Sequence, residues 1–553
     1  MTGRVALSRL DGDRVLVTDP AGEHEVAAAD LASYVAEREG SADPPRWVWD
    51  DTGRWYPALL DAGVRVARCH DLRLGHHLLR RSPVVDPGLL AGPQDALWDR
   101  LGPTVPTEPT LFAADDAAER LRADVEDARQ QAAVAACAEP GRLGLLLAAE
   151  SSGALVAAEM TWAGLPWRAD VHDRLLVELL GPRPPRGARP QRLEDLAVEV
   201  RALLDAPGLN PDSRAEVLAA LRRAGVDAPD LRAWTLRRVD HPAVPALLRY
   251  KQLTHFWTTN GWTWIDQWVR GGRFRPAYLP AGSATGRWTT NGGGALSLPQ
   301  QVRPAAVADE GWVLVVADVA QLEPRVLAGM SGDRALARSA RGVDLYQGMV
   351  ADGAVASRDE AKLALIGAMY GATSGGSGQL LPALVRRYPD AFGLVEAAAR
   401  AGERGEQVRT LLGRGSPRSP SEVGELEPDS VPTDLGDRDR RRRAWGRFTR
   451  NFVVQGTGAE WALCWLADLR ARLWSLGSGP LDHRPHLVFF LHDEVVVHTP
   501  AALAEEVSEA VVAAATSAGR LVFREGPAVD FPLGVTVARS YAEAGKGATP
   551  EGA

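Results

Sequence analysis

The stretch RDEAKLALIGAMYG, residues 358–371, decides how the rest of this chain is read. Of 63 basic residues only three are lysine: Lys251, Lys362 and Lys546. A chain this biased to arginine uses lysine rarely, and one of the three sits inside this run. The run reads as a helix, and Arg358, Lys362 and Tyr370 fall at spacings of four and eight. Such spacings keep side chains near one helix face, drifting slowly round it. Two cations and a phenol looking into one space suit a nucleoside triphosphate. Standing alone, the same pattern suits a solvated surface helix, so the acids elsewhere in the chain decide between the two.

Two apolar segments carry those acids. Trp312-Val-Leu-Val-Val-Ala-Asp318 reads as a buried strand that ends at a polar cleft. It runs on into a helix whose Pro324 suits the first turn, where no amide hydrogen bond is lost. HLVFFLHDEVVVHTP, residues 486–500, reads as a hairpin with His492-Asp493-Glu494 at its tight turn. An Asp in a turn or at a strand end is by itself ordinary structure. Two carboxylates from different strands can bridge two magnesium ions, one activating an attacking hydroxyl and one steadying a leaving pyrophosphate. Phosphoryl transfer asks a protein mainly for positioning and charge neutralisation. Arg358 and Lys362 supply the positive half of that demand.

The 553 residues suffice for several domains. Cys69, Cys137 and Cys464 have no zinc-finger spacing, which argues against structural zinc and for a reducing compartment. No N-terminal run has signal-peptide form and no stretch reaches roughly 18 uninterrupted apolar residues, so a cytoplasmic protein with no membrane partner is expected. The net charge of −8 does not mark a nucleic-acid binder, but local charge matters more than the sum. Arg438, Arg440, Arg441, Arg442, Arg443, Arg447 and Arg450 form a dense basic run just before Asn451 and Gln455, which suits phosphate-backbone contact.

Residues 1 to about 135 alternate strand-like runs (Arg14 to Val17, Arg46 to Trp49, Val64 to Ala67) with Ala-rich helices, as in a small α/β domain. Pro182 to Pro190 reads as a loop. LNPDSRAEVLAALRRAG offers an N-cap at Asp212 or Ser213 and an apolar face at Val217, Leu218 and Leu221. Residues 405 to 440 are charged and rich in Gly, Pro and Ser, which predicts an exposed mobile loop.

With these motifs in hand, the chain resembles the polymerase region of the bacterial DNA polymerase I family, family A. It is similar to a shorter, actinobacterial-type member often described as a bifunctional 3′–5′ exonuclease and DNA polymerase. The resemblance covers most of residues 150–543 and rests on six ordered motifs. These are Tyr250-Lys251 with Leu253; Thr285-Gly286-Arg287 with Pro299; and Asp318 with Gln321, Glu323 and Arg325. Then come Arg358, Lys362, Gly367, Tyr370 and Gly371; Asn451, Gln455, Gly456 and Thr457; and His492-Asp493-Glu494.

The resemblance implies a multidomain α/β and α+β fold, a right hand whose palm is an antiparallel sheet and whose fingers and thumb are helical. An N-terminal ribonuclease-H-like, exonuclease-type α/β domain would occupy residues 1–140. The expected boundaries are 145–245 for the thumb, 246–330 and 441–543 for the palm, 331–440 for the fingers, and 544–553 for a disordered tail. The implied substrates and partners are primer-template DNA and deoxynucleoside triphosphates, with two Mg2+ ions as cofactor.

The roles carry over residue by residue. Asp318 and Asp493, with the Val319 carbonyl, would hold metal, supported by Glu494. Arg358 and Lys362 would grip the triphosphate, Lys362 also protonating the leaving pyrophosphate. Gln321 and Glu323 border the nucleotide, Glu323 crowding the sugar 2′ position, and Tyr370 takes the templating position. Thr285, Arg287, Asn451, Gln455 and His492 would hold primer and template, and Arg325 would buttress the site. Three departures stand out. Ile366 replaces the family's aromatic residue on the nucleotide-facing helix, Val319-Ala320 replaces Tyr-Ser, and GGGALSLP at 292–299 replaces a more polar stretch.

The family's exonuclease domain needs four carboxylates around two metals. Its motifs fall here on Ser8 and Leu10, on Trp55, and on Phe112 and Asp116. Asp116 alone keeps its chemistry, with Asp50, Asp51 and Asp71 as the acids that could stand in. A structural remnant without proofreading is the expectation, with no 5′-nuclease domain ahead of it. The alternatives are a phage-type single-subunit RNA polymerase, a non-catalytic DNA-binding or repair scaffold, and a nuclease. Glu323, with Asn451 and Gln455, argues against the first, and the intact Asp318, Lys362 and Asp493 against the second.

Overall fold

The computed structural model describes residues 3–10, 13–92, 94–104, 121–342, 344–371, 376–420, 422 and 438–544. Phe112, Asp116 and the tail from 545 therefore lie outside the described residues. The chain divides into two compact units. One joins Met1–Gly164, Pro276–Leu296 and Glu310–Ala538; the other joins Leu165–Arg275, Ser297–Asp309 and Arg539–Ala553.

The first unit opens with a five-stranded sheet in the order β3-β2-β1-β4-β5. The strands are β1 (Arg4–Arg9), β2 (Arg14–Asp19), β3 (Gly22–Ala27), β4 (Arg46–Trp49) and β5 (Cys69–Asp71). The first three pair antiparallel, and β1, β4 and β5 run parallel. Val5, Leu7, Val17, Trp47, Trp49 and Tyr56 form its core. Residues 64–67, expected as a strand, are not one. The Val66 amide donates to the Tyr56 hydroxyl and its carbonyl accepts from Arg470, so side chains take the groups a ladder would use. The strand forms two residues later, at Cys69.

Helix α1 (Pro140–Ala163) runs through the middle of this unit. Among the described residues it alone is long and apolar enough to cross a membrane, yet 72% of its apolar window is buried in the protein. Its Glu159 is buried and accepts from the Tyr56 hydroxyl at 2.6 Å and from Arg470 at 2.6 and 2.9 Å. Burial alone would raise this carboxyl, but Arg470 and Arg65 outweigh it and hold the pKa below the usual range. The ion pair fastens α1 to the helix Arg438–Ser475.

A second sheet in this unit is wholly antiparallel. Its strands are β6 (Trp312–Val319), β7 (His486–Leu491), β8 (Glu494–Pro500) and β9 (Leu533–Ala538), in the order β7-β8-β6-β9. The helices that matter for the site are α2 (Leu322–Ser331), α3 (Arg358–Tyr370), α4 (Pro389–Glu403), α5 (Arg438–Ser475) and α6 (Ala504–Val522). At 38 residues α5 spans about 57 Å. It ties α4 through the Thr449 hydroxyl on the Ala398 carbonyl and α6 through the Trp465 indole on the Val511 carbonyl.

Residues 405–417 correct the expectation of an exposed loop. Val408 to Ser416 form a doubly hydrogen-bonded turn in which Thr410, Arg414 and Ser416 are buried. Residues 423–437 of the same stretch lie outside the described residues.

The second unit packs Gln191–Leu203, Arg214–Arg223 and Ala243–Asn260 around Val200, Leu209, Val217, Leu221 and Leu247. Ser213 caps the middle helix by accepting from the Glu216 amide. Residues 182–190 lie outside the helices, as expected.

Candidate active site

The acids come together through sheet register. Leu491 pairs with Glu494, which leaves His492-Asp493 as a two-residue connection. His492 takes a φ of 56°, and the Asp493 amide donates back to the Leu491 carbonyl at 2.6 Å. An i to i+2 closure around a non-glycine residue at positive φ is a strained turn, of the kind found at functional sites. On the neighbouring strand Asp318 lies opposite Glu494, and the Val319 amide donates to the Asp493 carbonyl at 2.9 Å. Asp318-Val319 and Asp493-Glu494 thus abut at one end of the sheet, with all three acidic side chains partly exposed.

The turn after β6 is held from below. Gln321 sits in the left-handed region (φ 53°) as the N-cap of α2. Arg325 is fully buried. It donates to the Ala320, Ala340, Gly342 and Asp530 carbonyls and, at 3.1 Å, to the Gln321 side-chain oxygen. Burial pushes its pKa down to about 10, which still leaves it charged at neutral pH. The expected buttress is therefore a hub joining β6, α2 and the 340–342 segment.

Helix α3 presents the face that its spacing implied. Ala361, Ala364, Leu365, Ala368 and Met369 are buried, while Arg358, Lys362 and Tyr370 are exposed and Ile366 is half-buried. Ser357 caps the helix by accepting from the Glu360 amide, and Gly371 ends it at φ 75°. Both ends are pinned to the segment after β6. Arg358 pairs with Asp344 at 2.7 Å, and the Tyr370 hydroxyl donates to Glu323 at 2.9 Å. The Asp344 carboxyl accepts further from Gln321 and from the Tyr346 and Gln347 amides. Partial burial opposes its ionisation, but the Arg358 bond prevails and holds its pKa below the usual range. Lys362 makes no ion pair among the described residues.

A chain of polar contacts joins the other predicted residues. Arg287 donates to Glu323 at 2.6 Å, Glu323 accepts from Tyr370, and Gln455 of α5 donates to the Tyr370 hydroxyl at 3.3 Å. Burial first, then the Glu323 charge, raises the Tyr370 pKa, so the phenol stays protonated and donating. Desolvation and the Arg287 charge lower the His492 pKa, which leaves a neutral ring at pH 7. Asn451 Oδ1 is buried with no hydrogen-bond partner among the described residues. Thr285 is buried in the turn that carries Arg287, its hydroxyl 3.1 Å from that of Ser283.

The geometry adds residues that motif reading passed over. Asp344 could have been found as a helix N-cap before Leu345–Ala351. Glu150, Arg414 and Glu460 carried no local signal. The first unit gathers the expected site residues Thr285, Arg287, Asp318 to Glu323, Arg358 to Tyr370, Asn451, Gln455 and His492 to Glu494, whereas Tyr250, Lys251 and Pro299, also expected in the palm, belong to the second unit. There the Tyr250 hydroxyl donates to Asp212 and the Lys251 ammonium to the Leu231 carbonyl.

The model of the family described as DNA polymerase family A matches residues 226–543, more than half of the chain. The chain belongs to DNA polymerase family A. The thermostable DNA polymerase I of Thermus filiformis is 30% identical over 369 residues, covering 61% of this chain and 40% of that protein. The DNA polymerase I of Chloroflexus aurantiacus is 28% identical over 325 residues, 53% of this chain and 32% of that one. The chain therefore spans less than half the length of these curated relatives. A solved structure described as the POL domain of Pol1 from M. smegmatis, in complex with DNA primer-template and dNTP, superposes with a TM-score of 0.70. It is 20% identical, and the match covers 98% of this chain and 96% of that one, so the shared fold includes the N-terminal sheet. The family A hand, with its antiparallel palm and helical fingers and thumb, is the fold of this protein.

Family A membership goes with divalent-metal chemistry in general. The donor set at the sheet end fits a hard cation, being made of carboxylates and one backbone carbonyl. Among the described residues no group of three or more His, Cys, Asp or Glu gathers as a metal cage.

Among the described residues the N-terminal sheet offers no comparable set. Ser8 is buried, its oxygen accepting from the Ala123 amide, and Trp55 is buried with its indole on Asp50. Leu10 continues the β1–β2 hairpin, its amide on the Arg14 carbonyl. Asp50 also pairs with Arg54, and Asp51 accepts from the Gly53 and Thr104 amides and from Arg73. Asp71 caps the helix Leu72–Arg81 and accepts from the Thr52 amide. The three candidate stand-ins are thus committed to structural bonds.

Proposed function

We propose that this chain is a template-directed DNA polymerase that adds deoxynucleotides to a primer 3′ hydroxyl. The observation that carries the reading is the register that joins Asp318-Val319 to Asp493-Glu494, on the same unit as the cationic face of α3. Asp318, Asp493 and the Val319 carbonyl would hold two magnesium ions, with Glu494 beside them. When bound, the ions supply Lewis-acid activation of the attacking hydroxyl and charge neutralisation at the leaving pyrophosphate.

The remaining steps belong to the protein's own side chains. Arg358 exchanges Asp344 for the triphosphate, and the Lys362 ammonium protonates the departing pyrophosphate oxygen. Glu323, held between Arg287 and Tyr370, crowds the sugar 2′ position and favours deoxynucleotides. Ile366 packs on the nucleotide without an aromatic face. Thr285, Arg287, Asn451, Gln455 and His492 hold primer and template beside the Tyr370 position. The arginines at the start of α5 supply phosphate-backbone contacts.

In this reading the thumb takes about 145–245, the palm 246–330 and 441–543, and the fingers 331–440. Residues 1–140 are an exonuclease-type domain that has lost proofreading, in keeping with Ser8, Leu10 and Trp55 at its motif positions. The enzyme would act in the cytoplasm, where bacterial DNA lies. A primed template with magnesium tests it. Extension with deoxynucleotides and none with ribonucleotides supports the reading. A ribonucleotide preference, or loss of the primer 3′ end when nucleotides are omitted, contradicts it.

A further inference from the structure

A buried network lies directly behind the Thr285-Gly286-Arg287 turn. The turn closes on itself through the Ser283 amide on the Arg287 carbonyl and the Gly286 amide on the Ser283 carbonyl. Gly286 has a φ of +82°, and a Cβ there would meet the Arg414 Nε and Cζ at 2.5 Å. The turn's backbone therefore lies on the Arg414 guanidinium. On its other side, a Cβ at Gly456 of α5 would meet the Thr285 carbonyl at 3.2 Å and the Thr410 methyl at 2.5 Å. The turn is seated between α5 and the Val408–Ser416 hairpin, with no room for a side chain on either side.

The seat itself is fixed by charge. Arg414 is ion-paired with Glu150 of α1, and both are buried. The hairpin that carries Arg414 is held to α5 by the Thr410 hydroxyl and the Leu412 amide on Glu460 and by the Leu411 amide on Thr457. An arginine is long and flexible, but one clamped to a buried carboxylate cannot swing aside without leaving that charge unpaired. From the same turn Arg287 reaches Glu323, and Glu323 holds Tyr370.

We propose that Arg414 is a positioning residue for the primer-template grip: pinned by Glu150 and seated under Gly286, it sets the turn from which Arg287 reaches DNA. The inference rests on the polymerase reading above. Arg414 touches no reacting atom and acts only through Arg287. Its loss should therefore weaken the hold on primer-template and, by releasing Glu323, change the nucleotide Michaelis constant no more than the loss of Arg287 does.

The test is equilibrium binding of a fluorescent primed hairpin DNA, read by anisotropy. The proteins compared are wild type, Arg287→Ala, the paired variant Arg414→Met/Glu150→Gln, and all three changes together. The paired variant removes both buried charges, so neither is left uncompensated. The expected result is roughly tenfold weaker binding for Arg287→Ala, the size of one lost charged hydrogen bond, and a similar loss for the paired variant. The triple variant should bind no more weakly than Arg287→Ala, because residues acting in series are not additive. The nucleotide KM of the paired variant should lie within about twofold of that of Arg287→Ala, because both act on Glu323 through Arg287.

Wild-type binding by the paired variant, or losses that multiply in the triple variant, would overturn the proposal. Should the paired variant fail to fold, Gly286→Ala displaces the turn from the opposite side, and the same two comparisons with Arg287→Ala apply. If wild type itself does not bind the DNA, the polymerase reading fails first. If wild type binds and only Arg287→Ala is weak, the reading stands and the role given to Arg414 falls.

Discussion

Replacing Arg325 with methionine should loosen the floor of the site without touching the acids above it. Arg325 is fully buried, and its hydrogen bonds among the described residues include four to backbone carbonyls, between 2.5 and 3.0 Å, and one to Gln321 at 3.1 Å. Methionine keeps much of the volume and none of the donors. A single bond to a charged group is worth about 1.5–3 kcal/mol, but five bonds to one guanidinium are not independent, and removing the ion also removes its desolvation cost. Each buried acceptor left without its donor costs about 1–3 kcal/mol, so the net loss, after the relief of desolvation, is about 3–5 kcal/mol. A chain of two units need not unfold in one step, so the loss is best read locally. The Gly342 amide donates to Asp530 and the Leu345 amide to Gln321, both beside the hub. Their hydrogen-exchange protection should fall between about a hundred- and a few-thousand-fold in Arg325→Met. Arg325→Lys, with three donors in place of five, should fall between. Protection within tenfold of wild type in Arg325→Met would refute the hub.

Other outcomes follow from the same geometry. Lys362→Ala should lower kcat by about 10²- to 10⁴-fold in single-nucleotide incorporation and leave primer-template binding within about twofold; a kcat change under about threefold would remove its acid role. Ile366→Phe should restore a stacking face worth about 1 kcal/mol, seen as a roughly fivefold lower nucleotide KM. Glu460 is buried beside Thr410, and burial pushes its pKa up to about 7. Its neutral form is the one the fold favours. Its contribution is therefore complete below about pH 4.5 and is lost as pH rises through about 7. The stability of Glu460→Gln relative to wild type, from urea melts, should thus climb between pH 5 and 8; a flat difference would contradict the shift.

Much of the palm and fingers was legible because the signals are local. The hairpin at His492-Asp493 is announced by apolar runs on both sides, and α3 by a four-residue spacing with a terminal glycine. Register then does the rest, since pairing Leu491 with Glu494 and Asp318 with Glu494 brings the acids together. What failed depends on distant partners. Residues 64–67 look like a strand, yet Tyr56 and Arg470 take up the Val66 amide and carbonyl. Residues 405–417 look like a loop by composition, yet Arg414 finds Glu150 264 positions away and Thr410 finds Glu460 50 positions away. Charged and small residues read as solvated until the groups that neutralise them are known. Asp344 lies between these cases, visible as a cap but not as the partner of Arg358.

The central claim is that Asp318 and Asp493 do chemistry and do not merely close a sheet. Single-nucleotide incorporation on a primed template with magnesium, measured for wild type, Asp318→Asn and Asp493→Asn, tests it directly. Both variants should bind the DNA within about threefold of wild type and lose at least about 10³-fold in kcat, the scale of removing transition-state charge stabilisation. Either variant extending the primer at a wild-type rate would contradict the account.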